Sequence, residues 1–163
     1  MRKIALLPAA AALAVIAAAC QPVEAKANEF GGIYVSATAG VDDVTNLPDT
    51  TDVVYGANVG VNVPLGDAIV GVEATVDNVF ESQREIGASG RLGYTFDNVM
   101  LYGEAGYTNY RDVFSRDLEG LRVGGGLEYN ISTNTFVGAE YRYTDFEGGA
   151  GKHAGLVSLG IRF

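Results

Sequence analysis

VGAEYRYTDF, residues 137–146, admits two opposite readings. Taken with a period of two, Val137, Ala139, Tyr141 and Tyr143 fall on one side and Gly138, Glu140, Arg142 and Thr144 on the other, as successive side chains of a β-strand do. One face is greasy and the other carries an acid and a base. A barrel or sandwich in water turns the greasy face inward, whereas a barrel that crosses a membrane turns it outward, toward lipid. The fold therefore hangs on which face of this strand is enclosed.

The same alternation recurs along the chain. Residues 31–41, 53–63, 68–76, 85–96, 100–110, 120–131, 135–144 and 153–163 read as eight strands, and no segment after Glu29 carries a defensible 3.6-residue period. The connections Pro64-Leu65-Gly66-Asp67, Asp97-Asn98-Val99 and Ser132-Thr133-Asn134 are tight. Residues 42–52, 77–84, 111–119 and 145–152 form longer, polar connections, and short and long alternate strictly. In an up-and-down barrel that pattern gathers the tight turns at one end and the long loops at the other. The strand lengths also suit the roughly 9 to 11 residues that cross a bilayer at a tilt.

Parity collects Glu73, Arg91, Glu104, Arg122, Glu128, Glu140, Arg142 and Arg162 on one face of the strands. Four carboxylates meet four guanidiniums, and beyond residue 27 lysine is confined to Lys152, read as a loop residue. A face washed by water uses lysine freely. An enclosed one favours arginine, whose planar fork stays charged and grips carboxylates at two points. Eleven strand glycines, Gly60, Gly71 and Gly124 among them, share the charged face, where a narrow interior leaves little room for side chains. Tyr102 and Phe136 point the same way. The opposite face is Val, Ile, Leu and Ala, with Tyr94, Phe96, Tyr129 and Phe163 toward the tight turns and Tyr55, Tyr107, Tyr141 and Tyr143 toward the long loops, as two aromatic girdles would be. Glu140 and Arg142 are thus expected inside and Tyr141 and Tyr143 outside; because neighbours two residues apart splay along the lumen, each is expected to pair across strands, with Arg122, Glu128 or Arg162 as candidates. The fold class predicted is all-β, an eight-stranded antiparallel up-and-down transmembrane β-barrel. The competing reading, a soluble lipocalin-like barrel, puts the charges outside.

The beginning of the chain agrees with export. Arg2 and Lys3 precede an apolar run from Ile4 to Ala19, followed by small-residue sites ending at Ala25 and Ala27. This is the layout of a secretory signal peptide over residues 1–27, leaving a barrel domain at 28–163. Cys20, the single cysteine, lies in Ala17-Ala18-Ala19-Cys20, which lacks the leucine usual in a lipoprotein site, so Cys20 is expected to leave with the leader. Removal of residues 1–27 takes three positive charges (Arg2, Lys3, Lys26) and one negative (Glu24), moving the formal charge from −9 to −11. A chain this acidic is not expected to bind nucleic acid.

Chemistry-bearing motifs are few. His153 is the only histidine, and Ser158 lies on the opposite parity, so the two face different sides and make no nucleophile–base pair. Asp42, Asp43, Asp49 and Asp52 offer oxygens suited to calcium but lack the spacing and central glycine of an EF-hand loop. Catalytic residues, a metal and cofactors are not expected.

The C-terminus AGLVSLGIRF ends on Phe163 with Val157, Leu159 and Ile161 on its face. With GAEYRYTDF before the last loop, it resembles the small outer-membrane β-barrel superfamily of Gram-negative bacteria, which includes opacity-type porin-like proteins and the transmembrane domain of OmpA. The resemblance covers residues 31–163. It implies an outer-membrane location, Phe163 as the end of a signal read by the barrel-insertion machinery, and outer-membrane lipid and lipopolysaccharide as surroundings. It implies no wall-anchoring role. The function expected is an integral barrel with a plugged, charge-lined interior, a structural role in the envelope and loops that meet a surface partner. The alternatives are a narrow or gated small-solute channel and a lipid-modifying enzyme.

Overall fold

A computed structural model describes residues 29–44, 51–78, 84–111, 117–147 and 151–163. Eight strands follow one another: β1 (Gly32–Val44), β2 (Thr51–Leu65), β3 (Ala68–Asp77), β4 (Arg84–Phe96), β5 (Val99–Arg111), β6 (Asp117–Asn130), β7 (Thr135–Phe146) and β8 (Gly151–Arg162). Each pairs antiparallel with the next, and β1 pairs with β8, so the sheet closes into a barrel without an edge. Closure satisfies every strand's backbone donors and acceptors within the sheet, the condition for crossing hydrocarbon with strands.

The tight turns hold their expected places. Gly66 and Asp97 adopt left-handed backbone (φ 70° and 48°), which a two-residue connection between twisted strands demands and which glycine and aspartate tolerate. The Thr95 amide donates to the Asp67 carbonyl at 2.9 Å, tying neighbouring turns together. Pro64 and Leu65, expected in a turn, instead continue β2 opposite Ile69 and Ala68.

At the other end the strands run further than expected. Asp42 and Asp43 lie in β1, Asp52 in β2, Asp77 in β3 and Lys152 in β8, all assigned to connections on sequence grounds. Polar residues mark loops only where they meet water, and here they continue the alternation: Asp42, Asp77 and Lys152 turn inward and are buried. The expectation that no strand carries lysine is therefore corrected. Thr50 and Gly149, in the long connections, and Asp49 lie outside the described residues, as do the leader and Cys20.

Inside and outside are inverted relative to a water-soluble protein. Among the described residues the interior buries twenty polar or charged residues against ten apolar ones. Ile33, Val53, Leu92, Leu121 and Val157 stand on the outer surface, between 52% and 69% exposed. Exposed apolar area on this scale is unfavourable in water by about 25 cal/mol per Å², and lipid removes that penalty. Tyr94, Phe96, Tyr129, Phe163, Tyr107 and Tyr141 are exposed on this surface, and Tyr55 and Tyr143 are half-buried.

Candidate functional site

One chain of ion pairs runs through the lumen from the loop end to the turn end. At the top, Lys152 Nζ lies 2.7 Å from Asp42 and 2.9 Å from Glu85. Glu85 also takes Arg122, whose second carboxylate, Asp77, is 3.7 Å away. Asp77 passes to Arg142 at 3.3 Å. Arg142 is the hub: it pairs with Glu140 on its own strand, with Glu104 at 3.7 Å and with Glu73 at 3.9 Å. Below it, Arg91 joins Glu73 at 3.4 Å to Glu128 at 2.5 Å, and Glu128 joins Arg162 at 2.6 Å. The backbone explains the assembly, because every second residue of each strand points inward and eight strands leave an interior that side chains alone can fill.

Tyrosines and small polar groups complete the column. The Tyr34 hydroxyl donates to Glu73 at 2.6 Å and accepts from Arg91 at 2.5 Å. Tyr102 donates to Glu140 at 2.6 Å while the Arg91 guanidinium stacks 3.8 Å from its ring centre. Ser89 donates to Glu104, Thr108 to Glu85, and Arg122 to Thr75. Buried charge is costly unless paired and hydrogen-bonded, which is why neutral donors cluster about these carboxylates.

All eight residues read from parity line this column: Glu73, Arg91, Glu104, Arg122, Glu128, Arg142 and Arg162 are buried and Glu140 nearly so. The sequence reading paired Glu140 and Arg142 with Arg122, Glu128 or Arg162 across strands, on the argument that neighbours two residues apart splay. The structure pairs them with each other, because the Arg142 side chain folds back along its own strand. Asp42, Asp77, Glu85, Lys152 and Tyr34 were missed. Glu85, with the parity of Arg91, and Tyr34, with that of Ser36, were within reach of the same rule.

Among the described residues seven carboxylates (Asp42, Glu73, Asp77, Glu85, Glu104, Glu128, Glu140) meet five cations (Arg91, Arg122, Arg142, Lys152, Arg162). The excess sits at mid-height, where oxygens of Glu73, Glu104 and Glu140 lie within 4.8 Å of one another around Arg142. Asp42, one of the four aspartates at the first connection, is committed to Lys152.

The floor is apolar. Phe30, from the turn before β1, enters the lumen against Ile69 and Met100, with Tyr102 packed on the cluster. Phe136 stands edge-on to Tyr34, their centres 5.9 Å apart. Arg162 lies over the rings of both Phe30 (5.3 Å) and Phe136 (4.6 Å).

His153 and Ser158 part as their parity requires. His153 faces outward, its Nδ1 2.5 Å from the Tyr141 hydroxyl and its ring 4.8 Å from that of Tyr143. Ser158 faces inward, beside Gly138. No hydrolytic dyad forms between them.

The family model described as "Outer membrane protein beta-barrel domain" matches residues 10–163. No curated protein matches the chain. Among solved structures the chain is similar to Neisserial surface protein A, at 19% identity over 81% of this chain and 97% of that one, with a TM-score of 0.58. It is similar to Ail, the attachment invasion locus protein of Yersinia pestis, at 19% identity over 82% and 99% of the two chains and a TM-score of 0.59. The outer membrane enzyme PagL aligns at 13% identity over 80% and 99%, with a TM-score of 0.50. At these identities the likenesses establish the fold.

Proposed function

The chain belongs to the outer membrane protein beta-barrel domain family, and on that footing we propose that it is a plugged integral barrel of the outer membrane, structural in role, whose long loops meet a surface partner. The observation that carries this reading is the chain of ion pairs from Asp42 to Arg162 along the described lumen, which supports a plugged bore because an eight-stranded interior is just wide enough for side chains to fill. An apolar girdle outside and an ion-paired polar interior are what a passive envelope element needs. Export by the 1–27 leader, insertion through the barrel-insertion machinery and packing against lipopolysaccharide complete the reading.

Partner chemistry follows from charge. Ail is known with sucrose octasulfate, a heparin analogue and hence a polyanion. This chain carries a formal charge of −9, and a sulfated ligand suits it poorly. A neutral or basic partner at the loops is the better match. The fold also carries the enzyme PagL, so architecture alone does not separate a structural barrel from a catalytic one. The opposed faces of His153 and Ser158 favour the structural reading here.

Two measurements test it. Protein extracted from the outer membrane is expected to migrate differently on gels when boiled and unboiled, as a barrel stable in detergent does. In planar bilayers the wild-type barrel is expected to be silent to small ions; steady currents from pure folded protein would move the assignment to the channel alternative.

A further inference from the structure

We propose that Phe30 is a stopper at the turn end of a latent cation path through the lumen. The inference rests on the plugged-barrel reading and says what does the plugging. Above the floor the ion pairs form a continuous chain, alongside a buried apolar cluster of Val54, Ala154 and Leu156 on one wall: every link from Asp42 to Arg162 is an ion pair no longer than 3.9 Å. Side chains of this kind exchange partners with a passing ion, and the excess of two carboxylates over cations makes a cation the favoured passenger.

The column ends at an apolar barrier that the barrel wall does not supply alone. Phe30 is 1% exposed, yet it belongs to the turn preceding β1 and to none of the eight strands. Its ring fills the floor against Ile69 and Met100. Three inward polar side chains hold the segment there: Asn62 donates to the Phe30 carbonyl at 3.1 Å, and Arg162 and Asn130 donate to the Glu29 carbonyl at 3.0 and 3.4 Å. The last cation of the column thus grips the backbone of the stopper while lying over its ring. An ion at this point meets the Phe30 ring with Ile69 and Met100 across the mouth, a dehydration barrier of the kind that closes hydrophobic constrictions. Because no strand ladder runs through Phe30, its ring can leave the mouth without breaking the barrel.

The test uses full-length folded protein in planar bilayers under a potassium chloride gradient, with wild type, Phe30→Gly and Phe30→Leu compared. Each is first confirmed as folded by its heat-dependent gel shift. Wild type and Phe30→Leu are expected to be silent, and Phe30→Gly to carry currents reversing toward the potassium equilibrium potential. A folded Phe30→Gly barrel as silent as wild type overturns the stopper and leaves the plugged reading standing. Currents reversing toward chloride overturn the cation path. Wild-type currents equal to those of Phe30→Gly overturn the plugged reading, and the stopper with it. Should Phe30→Gly not fold, Phe30→Trp in this tryptophan-free chain decides. Its emission is expected to be shielded from aqueous acrylamide and from brominated lipid, and quenching by either to the level of Phe163→Trp overturns the proposal.

Discussion

Arg142 concentrates the energetics of the lumen in one side chain. It touches Glu140, Glu104, Glu73 and Asp77, which come from two other strands besides its own, so its loss leaves four buried carboxylates short of a partner. Breaking a buried pair by removing one partner costs about 3–5 kcal/mol, far more than the pair contributes net, because the remaining charge stays desolvated. Arg142→Gln is therefore expected to lower stability toward urea in detergent by that order, while Asp97→Asn, on an exposed turn, stays within about 0.5 kcal/mol. Adding Glu104→Gln to Arg142→Gln is expected to recover part of the loss, since one fewer carboxylate is stranded, and strict additivity of the two changes would contradict the coupling. Arg142 also shows where parity stops being informative. Alternation tells which side of the sheet a residue faces, and it placed this guanidinium inside. It says nothing of side-chain direction along the strand, which is why the Arg142–Glu140 pair escaped the sequence reading.

Along each strand the glycines report how tightly the column is packed. A Cβ added at Gly60 on β2 would run into the Tyr34 hydroxyl and lie 2.7 Å from the Val72 carbonyl oxygen, displacing the tyrosine that joins Glu73 to Arg91. On the lipid face a Cβ at Gly90 would meet nothing nearer than the Ala105 carbonyl oxygen at 3.9 Å. Gly60→Ala is expected to cost about 1–3 kcal/mol, as overpacking does. Gly90→Ala is expected to be neutral or stabilising by about 0.4–1 kcal/mol, through the lowered entropy of the unfolded chain. Urea midpoints in detergent that rank the two equally would show the lumen to be looser than this. The strands were legible because a period of two survives in degenerate sequence, and their turn ends because Gly66 and Asp97 mark them. Their loop ends were not. Asp42, Asp77 and Lys152 carry the composition of loops, and only the register of the neighbouring strand, which no local pattern records, makes them lumen residues. The Glu29–Phe30 floor was illegible for a related reason: a two-residue segment has no periodicity, and its burial depends on groups between 32 and 133 residues away.

At the scale of the whole molecule the barrel has two unlike ends, and which one meets the outside of the cell follows from their lengths. Long connections outward and tight turns inward predict that a cysteine at Thr50 or Gly149 reacts with an impermeant thiol reagent on intact cells, while one at Asn98 or Thr133 does not. Equal labelling of all four would reverse or abolish that topology. Phe163 stands at the inner end. It is 74% exposed on the lipid side, one residue past β8, with its amide donating to the Ile33 carbonyl at 2.8 Å, so its ring adds little to the interior. In a water-soluble barrel, deleting such a terminal residue removes at most the burial of one side chain, about 1.5–3 kcal/mol, and a ring this exposed should lose far less. In an outer-membrane barrel the same ring belongs to the interfacial girdle and to the terminal pattern Val157, Leu159, Ile161, Phe163, which resembles an insertion signal. Deletion of Phe163 and Phe163→Asp are therefore expected to leave export intact and to deplete the folded, heat-shifting protein in purified outer membranes, with the remainder held in the periplasm or degraded. Phe163→Trp is expected to stay near the wild-type level, because an interfacial aromatic is kept. A normal folded level for both damaging variants would detach the C-terminal residue from insertion and leave it as one exposed ring among many.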